Sequence, residues 1–185
     1  MEEAEALKEE DGTTIKDDVI NMTATIGEKI SFRRFTKLTK TDSQTFGSYI
    51  HMGGKISTLT LINGDNKEVA NDCAMHLAAM NPKYVSREAV PASDIEEESK
   101  IIKEQAMNEG KPEEIAEKMV AGRINKFYKD IVITEQEFVK NPDITVGTYL
   151  NNNKCELVDM IRFEVGEGIE KRKDDFVNEV MEQMK

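Results

Sequence analysis

The sequence predicts an α+β protein with antiparallel sheets, helices covering them, and one helical hairpin that projects from the body. Three observations point there. Two strand-like runs, 46–52 and 56–62, are separated by Gly53-Gly54, the spacing of a tight hairpin. Val69, Cys73, Leu77 and Met80 then follow at spacings of 3 and 4, the stripe of a half-buried helix. Further on, two charged segments with thin apolar stripes are joined across 108–111, the pattern of two antiparallel helices.

The elements follow in order. Residues 1–11 hold six acidic groups and one large apolar residue, Leu7, and read as an acidic lead-in. Ile15, Val19, Ile20, Ile26 and Ile30 suggest a helix over 14–30, interrupted near Gly27. The Arg/Thr/Phe composition of 32–40 suggests a strand, although Phe32, Phe35 and Leu38 recur every three residues. After the two hairpin strands, Asp65 with Glu68 three residues on signals a helix start, and Asn81-Pro82 a stop. Pro91 opens an acidic helix over 93–108 whose apolar positions are Ile95, Ile102 and Ala106. Gly110 suits a left-handed cap and Pro112 the first turn of the next helix, 112–129, with Ile115, Met119 and Gly122 on one face. Residues 131–139 again have strand composition, 145–152 suit a short helix, and 157–165 alternate as a strand with Ile161, Phe163 and Val165 on one face. A terminal helix over 174–185 carries Phe176, Val177, Val180, Met181 and Met184 on one side.

Composition narrows the function classes. The 185 residues carry a formal charge of −11, which argues against direct binding to nucleic acid, because phosphates repel an acidic surface. Aromatic residues make up 6% and Trp is absent, so the core leans on aliphatic residues and ten Met. Two cysteines, Cys73 and Cys155, are too few for a disulfide framework and suit a reducing cytoplasm. No apolar run reaches the roughly 18–20 residues of a membrane span, and the acidic start lacks the charge of a signal peptide.

Catalytic chemistry finds little support. Cys73 and His76 lie one helical turn apart, half of a metal site or of a thiol–imidazole pair, yet the other Cys and His stand at 155 and 51. Both are expected on the apolar face of a core helix, with His76 bonded to a backbone group. Gly166-Glu167-Gly168 follows a strand, but no Gly-Lys-Ser/Thr is present and Glu167 and Glu170 would repel phosphate, so it is expected to be a turn. No cofactor, metal or enzyme activity is expected. His51, beside Tyr49 and Met52 at a hairpin tip, suits a protein contact.

Four strings supply a sharper expectation. Arg162-Phe163-Glu164-Val165-Gly166-Glu167-Gly168-Ile169-Glu170-Lys171 resembles the carboxy-terminal signature of translation elongation factor Ts, the exchange factor of the GTPase elongation factor Tu. Thr25-Ile26-Gly27-Glu28-Lys29-Ile30 with Arg33-Arg34, Met75-His76-Leu77-Ala78-Ala79-Met80-Asn81-Pro82, and Glu109-Gly110-Lys111-Pro112 with Gly122-Arg123 occur in the family's order over residues 20–180.

The resemblance implies a guanine-nucleotide exchange core that binds elongation factor Tu-GDP and promotes GDP release during protein synthesis. It implies that 12–41 end a first core subdomain, that 44–92 and 131–168 form a second, that 93–130 are an inserted hairpin of the dimerisation type, and that 169–185 are a terminal helical module. Gly27, His51, Phe138 and Val139, with Gln183 or Met184 at the end, match partner-binding positions. The chain departs from the family in lacking a Thr-Asp-Phe-Val motif, because Thr41-Asp42 is followed by Ser43. The small helical domain that precedes that motif is not recognisable either, so the chain is expected to correspond to the carboxy-terminal part of the factor. A binding-only protein or a structural homodimer is the alternative expectation.

Overall fold

The computed structural model describes residues 1–169 and divides the chain into two compact units, Met1–Thr39 and Lys40–Lys185. The expected helix over 174–185 lies outside the described residues. Among the described residues, no helix is long and apolar enough to cross a membrane.

In the first unit, α1 (Glu2–Glu5) is a single turn and α2 (Ile15–Ile26) is the main helix. Thr14 and Asp17 form a reciprocal capping box at the start of α2: the Asp17 amide donates to Thr14 Oγ1 at 3.1 Å, and the Thr14 amide to Asp17 Oδ2 at 3.4 Å. The helix ends where Gly27 takes a left-handed φ of 76°. The strand expected over 32–40 is not formed, and the chain runs without regular structure from 28 to 41. Apolar residues three apart cannot share one face of a strand, whose period is two.

In the second unit, β1 (Gln44–His51), β2 (Ile56–Asn63) and β5 (Glu156–Glu164) form an antiparallel sheet in the order β1-β2-β5. A four-residue connection joins β1 to β2, with Met52, Gly53 and Gly54 all at positive φ. The helix α3 (Lys67–Met80) lies on one face of this sheet. Its contact is close because Gly47 has no side chain: a Cβ there would meet the Ala70 carbonyl oxygen at 2.0 Å. Two strand hydroxyls reach the same helix. Thr60 Oγ1 donates to Ala70 O at 2.8 Å, and Thr58 Oγ1 donates to Ala74 O at 2.7 Å. Ile62, Val69, Cys73, Leu77, Ile133, Val146, Leu150 and Leu157 fill the core. The start of α3 is capped by Asn66, whose Oδ1 accepts the Val69 amide at 3.2 Å, and not by Asp65 as expected. Met80, expected in the core, is exposed at the last turn.

The strand β5 carries an irregularity. Leu61 pairs with Asp159 and Ile62 with Leu157, so Val158 is left over and the alternation changes phase there. Leu157 and Met160 therefore pack on the core, Ile161 and Phe163 take the other face, and Val165 lies beyond the strand, exposed. Gly166 and Gly168, at φ 80° and 72°, form the expected turn.

The helices α4 (Ala92–Asn108) and α5 (Glu113–Ile131) make the antiparallel hairpin. Ile102, Ala106 and Ala116 are buried between them. Lys103 Nζ spans the pair to Glu113 at 2.7 Å and Glu117 at 3.3 Å. Ile115 is exposed, so the inner face of α5 is turned by one residue from the expected one. At the base, Tyr84 Oη donates to Asp94 at 2.7 Å, and Arg87 lies over the Tyr128 ring at 4.4 Å.

The expected strand over 131–139 resolves differently. Ile131 ends α5, Val132 makes one isolated parallel bridge to Tyr84, 133–135 form a 3-10 turn, and only β3 (Glu137–Phe138) is a strand. Its partner is β4 (Asn141–Thr145), an element not anticipated from sequence. Ile131, Val132 and Ile133 are apolar because they are buried, at 7%, 0% and 0% exposure, and not because they form a ladder. The expected short helix follows as α6 (Val146–Asn152), and Thr145 caps it by accepting the Thr148 amide at 3.1 Å.

Candidate functional site

The helix α3 carries Asp72 and His76 one turn apart. The His76 ring is fully buried. The Val139 amide approaches Nδ1 at 3.3 Å, and Gln136 Oε1 lies 2.9 Å from Nε2. A backbone N–H can only donate, so Nδ1 is the unprotonated nitrogen and the ring proton sits on Nε2, pointing at Gln136. Gln136 Nε2 in turn donates to Asp130 O at 2.7 Å, near the end of α5. One imidazole thus connects α3, the β3–β4 connection and the end of the hairpin. Sequence reading placed His76 correctly in the core and expected a backbone partner; the Gln136 half of the chain carries no local signal, because the residues are 60 apart. Burial pushes the His76 pKa below its usual value, against the smaller opposing effect of Gln136.

Asp72 serves the next residue along. Both its oxygens lie 2.9 Å from Lys140 Nζ, and Tyr149 Oη donates to Oδ2 at 2.8 Å. Burial, and then Asp72, raise the Tyr149 pKa. Tyr149 stacks on Phe138 at 4.3 Å between centroids, and Phe138 tilts against His76 at 6.1 Å. Phe138 is 2% exposed whereas Val139 is 39% exposed. Of the two neighbouring candidates, Phe138 therefore forms the support and Val139 the surface.

The other candidates sit on separate elements. His51 is exposed at the end of β1, stacked on Tyr49 at 5.9 Å. Gly27 caps α2 in the first unit, with nothing within 4 Å of a would-be Cβ. Gln183 and Met184 lie outside the described residues.

A groove of about 710 Å³ opens beside the network, lined in part by Met80, Lys129, Gln136, Glu137, Pro142 and Asp143. Its lining mixes apolar surface from Met80, Pro142 and Ile144 with charges of both signs from Lys129, Glu137 and Asp143. The Cys73 thiol is fully buried; burial first, then the charges of Asp72 and Cys155, push its pKa to about 12, so it is not a thiolate at neutral pH. Both His76 nitrogens are engaged, leaving no base for it. Among the described residues, no group of three His, Cys, Asp or Glu side chains is placed to hold a metal ion.

The family model described as elongation factor TS matches residues 1–167, most of the 185-residue chain. That match covers the first compact unit, most of the second and every helix and strand described above, including the Gly27 cap, the His51 hairpin and the Val139 turn. The chain belongs to the elongation factor Ts family of translation elongation factors.

Proposed function

We propose that this chain docks on the GTPase elongation factor Tu and promotes release of its GDP, as a non-enzymatic exchange factor of cytoplasmic protein synthesis. The observation that carries the reading is the family match over residues 1–167, together with the exposure of Gly27, His51 and Val139. Gly27 offers backbone, His51 a ring and Val139 an apolar side chain, and Gln183 and Met184 complete the proposed contact set with Phe138 supporting from beneath. The proposed division of labour keeps 12–41 as the end of a first core subdomain after the 1–11 lead-in. It makes 44–92 with 131–168 a second, 93–130 the hairpin and 169–185 a terminal module.

Exchange requires differential binding: a factor that prefers the nucleotide-free partner lowers nucleotide affinity by the same ratio. The resemblance assigns disturbance of the partner's magnesium and phosphate site to the Asp and Phe of the Thr-Asp-Phe-Val motif; here Thr41-Asp42 is followed by Ser43, and this favours a second reading, docking with little acceleration of release. Two measurements separate these readings. Calorimetric titration onto elongation factor Tu-GDP tests docking, and an absence of binding refutes both. Stopped-flow release of a fluorescent GDP analogue under saturating chain then tests exchange: acceleration to the rate given by a family member that carries the Thr-Asp-Phe-Val motif supports the first reading, and an unchanged rate supports the second. A structural homodimer built on 93–130 would instead show a mass that doubles with concentration in light scattering, without binding the GTPase.

A further inference from the structure

The β3–β4 connection is two residues, Val139 and Lys140, between the paired residues Phe138 and Asn141. Two-residue hairpins normally rely on primed turns with positive φ, whose twist matches the strands. Neither Val139 nor Lys140 has a positive φ, and the pairing changes register at once beside them. The hydrogen-bonded turn therefore lacks the backbone twist that best matches its strands. It is held in addition by α3: His76 Nδ1 accepts the amide of Val139, and Asp72 grips the ammonium of Lys140 with both oxygens. The Asp72 side chain is 13% exposed and His76 is 0% exposed, so two polar groups have been withdrawn from water beneath an exposed turn. Withdrawal of such groups is unfavourable unless their partners are well placed, and apolar packing would have secured a mere loop at less cost. What this arrangement yields is an exposed valine at a defined position.

We propose that Asp72 and His76 are positioning residues for partner binding, which clamp the Val139–Lys140 turn so that Val139 is presented outward. This rests on the docking reading above, in which Val139 meets the GTPase.

The test uses the full chain and four variants, Val139→Ala, Asp72→Asn, Lys140→Met and the double Asp72→Asn/Val139→Ala, all checked by circular dichroism. Affinity for elongation factor Tu-GDP and hydrogen exchange at the Val139 amide are measured. Val139→Ala is expected to weaken binding about tenfold, as for a good interface side chain. Asp72→Asn is expected to weaken it several-fold and to speed exchange at the Val139 amide. The double variant is expected to bind no worse than Val139→Ala, since the clamp acts only through that side chain. Lys140→Met provides the same comparison should Asp72→Asn fold poorly. Wild-type chain that does not bind would remove the docking reading and this inference together. With wild-type binding intact, three results overturn the inference alone: full affinity in Val139→Ala, full affinity in the clamp variants, or strictly additive losses.

Discussion

The Nδ1 atom of His76 accepts the backbone amide of Val139 at 3.3 Å, so a buried side chain on α3 fixes an exposed residue 63 positions further along the chain. The same ring reaches Gln136 with its other nitrogen. Removing it is expected to act on the fold before it acts on anything else.

His76→Ala leaves a cavity in a fully buried site and orphans both the Val139 amide and Gln136 Oε1. The expected loss is about 2–4 kcal/mol, adding cavity and unsatisfied-donor effects. Urea denaturation of the variant against wild type measures it. An unchanged midpoint would mean that the network contributes nothing.

The same histidine makes stability depend on pH. Its folded pKa lies below the ordinary histidine value of 6.5, chiefly because burial disfavours the imidazolium. Above 6.5 neither state binds the proton and stability is full. Below 6.5 the unfolded chain binds it and the folded chain does not, so this contribution falls progressively until the pH reaches the folded pKa. The stability of wild type minus that of His76→Gln, followed from pH 7.5 to 5, should decline as the pH falls. A flat difference would place the ring in contact with water.

His51 should behave in the opposite sense to His76. It is exposed, and its neighbour is the Tyr49 ring at 5.9 Å. His51→Ala is expected to leave the melting temperature within about a degree of wild type, as for most surface substitutions. It should weaken binding to elongation factor Tu by about 1–2 kcal/mol. A large drop in melting temperature with normal binding would refute this.

Gly47→Ala tests the seat of α3. The added Cβ would lie 2.0 Å from Ala70 O and 2.6 Å from the Asn71 amide nitrogen, both backbone atoms that cannot swing aside. Pushing the helix off the sheet should cost about 3 kcal/mol or more, at the upper end of overpacking effects. Chemical denaturation reports it, and wild-type stability in this variant would show that the helix adjusts freely.

Local chemistry along the chain determined a good deal of this protein. The limits of α2 and α3 follow from the capping box at Thr14, the left-handed cap at Gly27, and Asn81 before Pro82. The α4–α5 hairpin follows from Gly110 and Pro112 between two amphipathic stretches, and the four family strings are local by nature. Each of these features depends on residues within a turn or two, so one-dimensional spacing carries the information. Tertiary structure decided what depends on distant partners. Residues 32–40 had strand composition but no ladder, and 131–133 proved apolar because they are buried where the end of α5 runs into a 3-10 turn. The β4 strand exists because β3 pairs with it, and the phase change at Val158 can be seen only in register with β2. The clamp on Val139 joins residues more than 60 positions apart. Such contacts bring groups together across the core, and apolar composition is the same whether a residue is buried in a strand, a helix end or a turn; that is why spacing alone identified His76 as a core residue while the fold assigned it the amide it holds.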